Sequence, residues 1–198
     1  MTGPVTSLAD SPADRPDDRH AGARAALAQG RLALVERLSA ELAELPDQPF
    51  ARPVLTYVPG GPLEADTLTA ALGKWRPRDR AAQRTLIGPH RDELKVAMAG
   101  SGQSGSQPAE QCSTGEQKAM LIAITLTHAE LAAGERPGVV LLDEVAAHLD
   151  PVRRGALFER LHGGKAQAWL TGTELAPFED IAGEATSWRV SSGTVEQG

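Results

Sequence analysis

Four apolar residues, Val139-Val140-Leu141-Leu142, run directly into two carboxylates, Asp143 and Glu144. A short run with no polar alternation and two β-branched side chains reads as a strand buried on both faces, the habit of parallel sheets. Upstream, residues 114–133 read as a long helix. Downstream, residues 152–162 read as a second helix and 168–171 as the next strand, with a last strand at 187–190. Strands alternating with helices imply an α/β fold with a parallel sheet core. Ligand sites in such sheets lie at the carboxyl ends of the strands, where Asp143 and Glu144 stand.

The first half is organised differently. Residues 1–20 carry Pro, Asp and Ser with few large apolar side chains, and are expected to be a disordered tail. Leu27, Leu34, Leu38, Leu42 and Leu45 recur at helical spacing, which predicts an amphipathic helix over 21–45, closed by Pro46 and Pro49. Residues 54–58 suit a strand, stopped at Pro59-Gly60-Gly61. Residues 63–83 suit a helix interrupted near Gly73 and Pro77. Thr85-Leu86-Ile87 and 95–99 are expected as strands around Gly88-Pro89-His90-Arg91-Asp92, and 100–110 as a flexible small-residue loop. The domain division that follows is a tail (1–20), a helical arm (21–84) and a head (85–198).

Bulk properties limit the function classes. The chain has 198 residues, 41% hydrophobic and 23% charged, enough for a real core. No apolar run reaches the roughly 18 residues of a membrane span, and no secretory signal is present, so a cytoplasmic location is expected. Cys112 is the only cysteine, which rules out an internal disulfide, and no zinc-ligand spacing occurs. A net charge of −6 means that any nucleic-acid contact must be local.

Three short segments carry chemistry. Asp143 is placed to orient Mg²⁺, usually through a water, because that ion dehydrates reluctantly; the other reading of Asp143 and Glu144 is an acidic pair that simply ends a strand on the surface. Glu144 is placed to polarise an attacking water beside the metal. Ser113-Thr114-Gly115-Glu116-Gln117 stands where a loop becomes a helix. A hydroxyl, a glycine and free helix N-terminal amides together can hold an anion, while Ser113 and Glu116 also satisfy the pattern of a capping box. Both can hold at once. The third segment is Ala147-His148-Leu149-Asp150.

In this order and spacing the three segments resemble the ABC ATPases, with Ser113–Gln117 as the signature motif, Val139–Glu144 as the Walker B strand and Ala147–Asp150 as the D-loop. The resemblance implies two heads facing each other, with Ser113, Thr114, Gly115, Glu116 and Gln117 reaching ATP held by the partner and Asp150 coupling the two sites. Gly88–Asp92, Cys112–Ala119, Leu141–Asp150 and Thr171-Gly172-Thr173-Glu174 narrow it further. They are similar to segments of the RecF family, over roughly residues 21–190. Membership would imply a partial ABC head with a helical arm, and an ATP- and Mg²⁺-dependent dimer. Such a protein would bind single-stranded, gapped and double-stranded DNA, acting with other recombination mediators in recombinational repair and the SOS response. A transporter ATPase subunit is disfavoured, since those tend to have a double-glycine signature and a basic helix start.

The sequence departs from that pattern in one respect. No G-x-x-x-x-G-K-S/T phosphate loop occurs: Gly73-Lys74 is followed by Trp75 and Gly164-Lys165 by Ala166. Without those amides and that lysine the β- and γ-phosphates lose their main cradle. The chain is therefore expected to be inactive alone, to need a complementing N-terminal half, and to be poorly soluble without it; the alternative is a non-catalytic remnant or interaction module. The histidine that senses the γ-phosphate in many ABC proteins is also replaced, leaving Thr171 or Thr173 as switch candidates. Arg76, Arg78, Arg80 and Arg84, with Lys74, Arg91 and Lys95 nearby, are candidates for salt-sensitive DNA contacts; the other reading is a solvated face interleaved with Asp79, Asp92 and Glu93. His90 and Arg91 are alternatively placed at the nucleotide edge. His148 is expected to be a packing residue, Cys112 a small buried neighbour of Ser113, and Trp75, Trp169 and Trp188 core or interface residues.

Overall fold

The computed structural model describes residues 16–46, 49–100, 105–134, 136, 138–146 and 149–198. The chain divides into two compact units. The first takes in the described residues up to Ser39 together with Leu55–Val96, and the second takes in Ala40–Val54 and Ala97–Gly198.

Helix α1 spans Pro16–Ala43. It begins earlier than the Ala21 start expected: Pro followed by Asp17-Asp18 is a helix-start signal that composition alone hides. Residues 1–15 of the expected tail lie outside the described residues. The buried positions also differ from the leucine stripe. Ala21, Ala25, Ala28, Leu38 and Leu42 are buried, whereas Leu27 and Leu34 are exposed. Leu38 and Leu42 of the stripe are buried as expected, and nearer the start of the helix alanines take the inward positions instead.

Strand β1 (Pro53–Val58) alternates buried and exposed at its start, with Pro53 and Leu55 inward and Val54 and Thr56 outward. Helix α2 (Ala65–Ala82) is continuous through Gly73 and Pro77, where an interruption was expected. Pro77 forfeits one backbone bond, but Leu68 and Leu72 anchor the preceding turns in the first unit's core, with Ala25 and Ile87. The helix closes on Gln83, in the left-handed region at φ 52°. Beyond it, Thr85–Ile87 does not form the expected strand. Its polar groups are committed to closing α2: the Arg84 N–H donates to the Asp79 carbonyl at 3.2 Å, and the Leu86 N–H to Asp79 Oδ1 at 3.0 Å.

A single 3-10 turn, Pro89–Arg91, leads into β2 (Glu93–Met98). The end of β2 pairs antiparallel with β3 (Gln107–Pro108), Ala97 opposite Pro108 and Met98 opposite Gln107. This strand falls inside the segment expected to be loop. The sheet order is β1-β2-β3.

In the second unit, helix α3 (Thr114–Ala133) precedes β4 (Val139–Leu142). Helix α4 (Pro151–Gly163) follows, and β5 (Gln167–Leu170) lies parallel to β4 with Leu142 opposite Leu170. Ile122 and Leu126 of α3, Leu142, Ala146, Leu149, and Leu157 and Phe158 of α4 form one core. Arg160 fastens the two helices, pairing with Glu130 at 2.8 Å and donating to the buried Thr127 hydroxyl at 2.9 Å. The chain ends in an antiparallel hairpin of β6 (Trp188–Ser191) and β7 (Thr194–Gln197). Strand β7 was expected to be polar tail. Ser192 and Gly193 both have positive φ, 49° and 79°, the signature of a type I′ hairpin turn.

Candidate functional site

The α3 N-terminus is built by its own sequence. Ser113 precedes the first helical residue in extended conformation, and its hydroxyl accepts the Glu116 N–H at 3.3 Å. The Glu116 carboxylate reaches back to the Ser113 N–H at 2.8 Å and the Ser113 hydroxyl at 2.7 Å. These bonds from Ser113, aided by the nearby Arg153, hold the Glu116 carboxyl below its usual range. The expected capping box is therefore present, and Ser113 and Thr114 remain exposed. Gln117 secures the approach, donating through Nε2 to the carbonyls of Ala109 (2.9 Å) and Cys112 (3.1 Å). Cys112 is buried behind the serine, its thiol 3.4 Å from the Pro108 carbonyl. Burial pushes that thiol upward, as does Glu116.

The α4 N-terminus meets the same place. Asp150 caps α4, accepting the Arg153 N–H at 3.0 Å, and its other oxygen lies 3.3 Å from the Arg153 guanidinium. The same guanidinium donates through Nε to the Pro49 carbonyl at 3.1 Å. A side chain at Gly115 would put its Cβ 3.4 Å from Arg153 Nη1. Arg153 thus draws the helix entrance of α3 and the Asp150 cap together. Sequence reasoning passed over it. The signal was available: an arginine three residues after a capping aspartate can turn back on that cap.

The second cluster sits at the carboxyl ends of the parallel pair. Leu142 is buried, Asp143 is exposed and Glu144 half-buried. Since Leu142 lies opposite Leu170, the next residue of β5, Thr171, comes beside the two carboxylates. The Thr171 N–H donates to the Leu142 carbonyl at 3.0 Å, continuing the ladder by one residue. The Thr171 hydroxyl donates to Asp143 Oδ1 and accepts the Glu144 N–H at 3.1 Å. Glu144 has φ 54°, a left-handed conformation costing a non-glycine residue about 1–2 kcal/mol. Thr173 lies further along the same loop, exposed. Ala147 and His148 fall outside the described residues; of that segment, Leu149 is buried in the core and Asp150 caps α4.

Among the described residues no cluster of three or more His, Cys, Asp or Glu could by itself hold a metal. Mg²⁺ keeps most of its waters and takes one or two carboxylates plus phosphate oxygens, so it needs no such cluster.

The basic stretch lies in the first unit. Arg76, Arg78, Arg80 and Arg84 are exposed along the end of α2 and just beyond it. Arg78 stacks on Trp75, 4.9 Å from the ring centre. Two of the acidic residues interleaved in sequence are engaged in hydrogen bonds, while the third, Glu93, is exposed. Asp79 accepts the Leu86 N–H, and the Asp92 side chain is buried on Arg31, Tyr57 and the Gly60 N–H. His90 lies with Nε2 2.8 Å from the Thr85 carbonyl, and Arg91 packs against Gly60. Both residues belong to the first unit, whereas Asp143 and Glu144 belong to the second. Trp75 joins the first unit's core, but Trp169 and Trp188 are exposed rather than core residues.

The second unit therefore holds, on one α/β frame, a capped helix entrance, a carboxylate pair at a parallel strand end and a hydroxyl bridging that pair. Its relatives are consistent. The chain is 44% identical over 185 residues to the DNA replication and repair protein RecF of Mesorhizobium japonicum. It is 52% identical over 121 residues to that of Brucella abortus, and 41% over 160 residues to that of Rhizobium etli. The similarity is to the C-terminal part of RecF proteins. The Mesorhizobium match takes in 86% of this chain and 47% of the relative, so the chain spans about half the length of the curated relatives it matches. No family model matches. Two solved structures of the recombination mediator protein RecF, one described as RecF-ATPrS and one as RecF-ATP, share the fold. The TM-scores are 0.71 and 0.66 at 19% identity, over 91% of this chain and 49% and 48% of theirs. The α/β fold is thus close to that of RecF over the part of it that the chain spans. No helix among the described residues is long and apolar enough to cross a membrane.

Proposed function

We propose that this chain is the C-terminal part of a RecF-type DNA replication and repair ATPase, supplying the signature helix, the Mg²⁺ carboxylate and the water-activating glutamate. The observation that carries the reading is the placement of Asp143 and Glu144 at the carboxyl end of parallel strand β4, bridged by Thr171 from the neighbouring strand. The RecF relatives, and the ATP named with their structures, support it.

Mg²⁺, when bound, would neutralise charge developing on the transferred phosphoryl group. Asp143 would orient it through water. Glu144, with its carboxylate beside the metal but not on it, would accept a hydrogen bond from the attacking water and raise its nucleophilicity. Ser113 and the first amides of α3 would contact the γ-phosphate of a nucleotide held by a partner subunit. Arg153 would keep that helix entrance in register with Asp150, so that a shift at one is felt at the other.

These 198 residues hold no phosphate-loop amides or lysine, so turnover would need a segment that provides them. In the assembled ATPase two heads would share the nucleotides, bind single- and double-stranded DNA, and act with other recombination mediators. The exposed arginines at and just beyond the end of α2 suit sequence-independent phosphate contacts.

The test is coexpression with the phosphate-loop-bearing N-terminal half of a RecF relative. The chain alone is expected to show no turnover and the pair to hydrolyse ATP, with Glu144→Gln lowering kcat by about 100-fold or more. Hydrolysis by the isolated chain that Glu144→Gln abolishes would overturn the need for a partner. A soluble, associated pair with no hydrolysis would overturn the ATPase reading itself.

A further inference from the structure

We infer that Thr171 is a positioning residue that holds the two carboxylates of the strand end in working geometry rather than a sensor of the γ-phosphate; this rests on the ATPase reading above. A threonine hydroxyl has one proton to donate. Here that proton goes to Asp143 Oδ1, so it is not offered to a phosphate oxygen while the contact stands. The lone pairs of the same oxygen accept the Glu144 N–H at 3.1 Å. One atom therefore orients the carboxylate that faces the metal and pins the backbone of the residue that faces the water.

The Glu144 backbone gives this bond its importance. A left-handed φ of 54° at a non-glycine residue persists only where its surroundings hold it. On one side the buried Leu142 and Ala146 fix the flanking chain in the core. Across the sheet edge, the bond from the Glu144 N–H to Thr171 is the contact that acts on Glu144 itself. Without it, Glu144 can relax toward negative φ, and its carboxylate swings with it. The main-chain bond from the Thr171 N–H to the Leu142 carbonyl fixes the hydroxyl's position from β5. The separation of β4 from β5 is thereby tied to the geometry of the reacting groups.

Side-chain requirements follow from the bonding. Serine keeps both bonds. Valine has threonine's shape but neither donates to Asp143 nor accepts from Glu144. Thr171 is exposed, so Thr171→Val removes the bonds without burying or uncovering core.

Two readouts test the inference. The first needs no nucleotide: hydrogen exchange of the Glu144 amide in the full chain coexpressed with its phosphate-loop partner. Thr171→Val is expected to speed that exchange about tenfold, the equivalent of one lost hydrogen bond, and Thr171→Ser to leave it near wild type. The second is steady-state ATP hydrolysis by the same pair. Thr171→Val is expected to lower kcat about tenfold or more with KM for ATP within about twofold, and Thr171→Ser to restore kcat. An unchanged Glu144 amide, or faster exchange with unchanged kcat, overturns the inference. A raised KM with intact kcat also overturns it, since that is the mark of a phosphate contact. Inactivity of the wild-type pair defeats the ATPase reading instead, while the amide result still decides whether Thr171 holds Glu144.

Discussion

At the scale of single residues, the polar site with the most converging donors lies in the first unit, around Asp92. Asp92 is buried yet accepts from Gly60 N–H at 2.9 Å, Tyr57 Oη at 2.6 Å and Arg31 at 2.9 Å. Burial pushes its carboxyl upward, but those three donors outweigh it and hold it below the usual range. For Tyr57, burial and then the Asp92 carboxylate push the phenol up to about 12. The two shifts act at opposite ends of the pH scale. A depressed carboxyl contributes stability above about pH 4 that is lost as pH falls through its folded value; a raised phenol contributes stability below about pH 10 that is lost as pH rises towards 12. Tyr57 is the only tyrosine, so its ultraviolet titration reads this site alone, with an expected midpoint near pH 12 in the folded chain. A midpoint near 10 would mean that Tyr57 is neither buried nor bonded to Asp92 in solution. Gly60 belongs to the same site. A Cβ there would lie 2.5 Å from Arg91 and 2.6 Å from the Gly88 carbonyl, atoms that cannot move aside cheaply. Gly60→Ala is therefore expected to destabilise the chain by about 1–3 kcal/mol in urea unfolding.

At the scale of elements, helix ends decide the site. Ser113→Ala removes the α3 cap and is expected to cost about 1 kcal/mol by denaturant titration. Because Glu116 is depressed, the cap's contribution is present above about pH 4.3 and fades as pH falls through the folded value. The difference between wild type and Ser113→Ala should therefore shrink under acid; a constant difference would mean that Glu116 takes no part. This cap was legible in sequence because its partners are three residues apart. So was β4, whose apolar run admits no other role beside the helices that flank it. What escaped reading depends on distant partners. Thr85–Ile87 looks β-prone, but Asp79 claims its backbone from an earlier turn. The strand β3 exists only because Ala97 and Met98 lie opposite it. Arg153 reaches Pro49, far away along the chain. Pattern gives the elements and the local caps; the bond from Thr171 to Asp143 needs the β4–β5 register, which periodicity does not carry. The β7 hairpin is the exception, since Ser192-Gly193 between Val190 and Val195 was a local turn signal left unread.

At the scale of the whole molecule, one face of the parallel pair is covered by none of the described residues. Val139, Leu141 and Trp169 share a side of β4 and β5 and are 60%, 75% and 51% exposed. Parallel sheets are covered on both faces almost without exception, and an open face of this kind drives association. The amphipathic hairpin adds Trp188, Val190 and Val195 on one of its own faces, all exposed. Both surfaces belong to the unit that holds the carboxylates, so on the proposed ATPase reading a partner that buries them would also lie beside the site. Trp169→Lys separates the two consequences. On the isolated chain it is expected to reduce aggregation, read by light scattering, because a charge interrupts the apolar patch without touching the core. In coexpression with a phosphate-loop-bearing half it is expected to weaken assembly and ATP hydrolysis together, because the same charge must then be buried against a partner. Full hydrolysis by the Trp169→Lys pair would show that the β4–β5 face is not where the second segment packs.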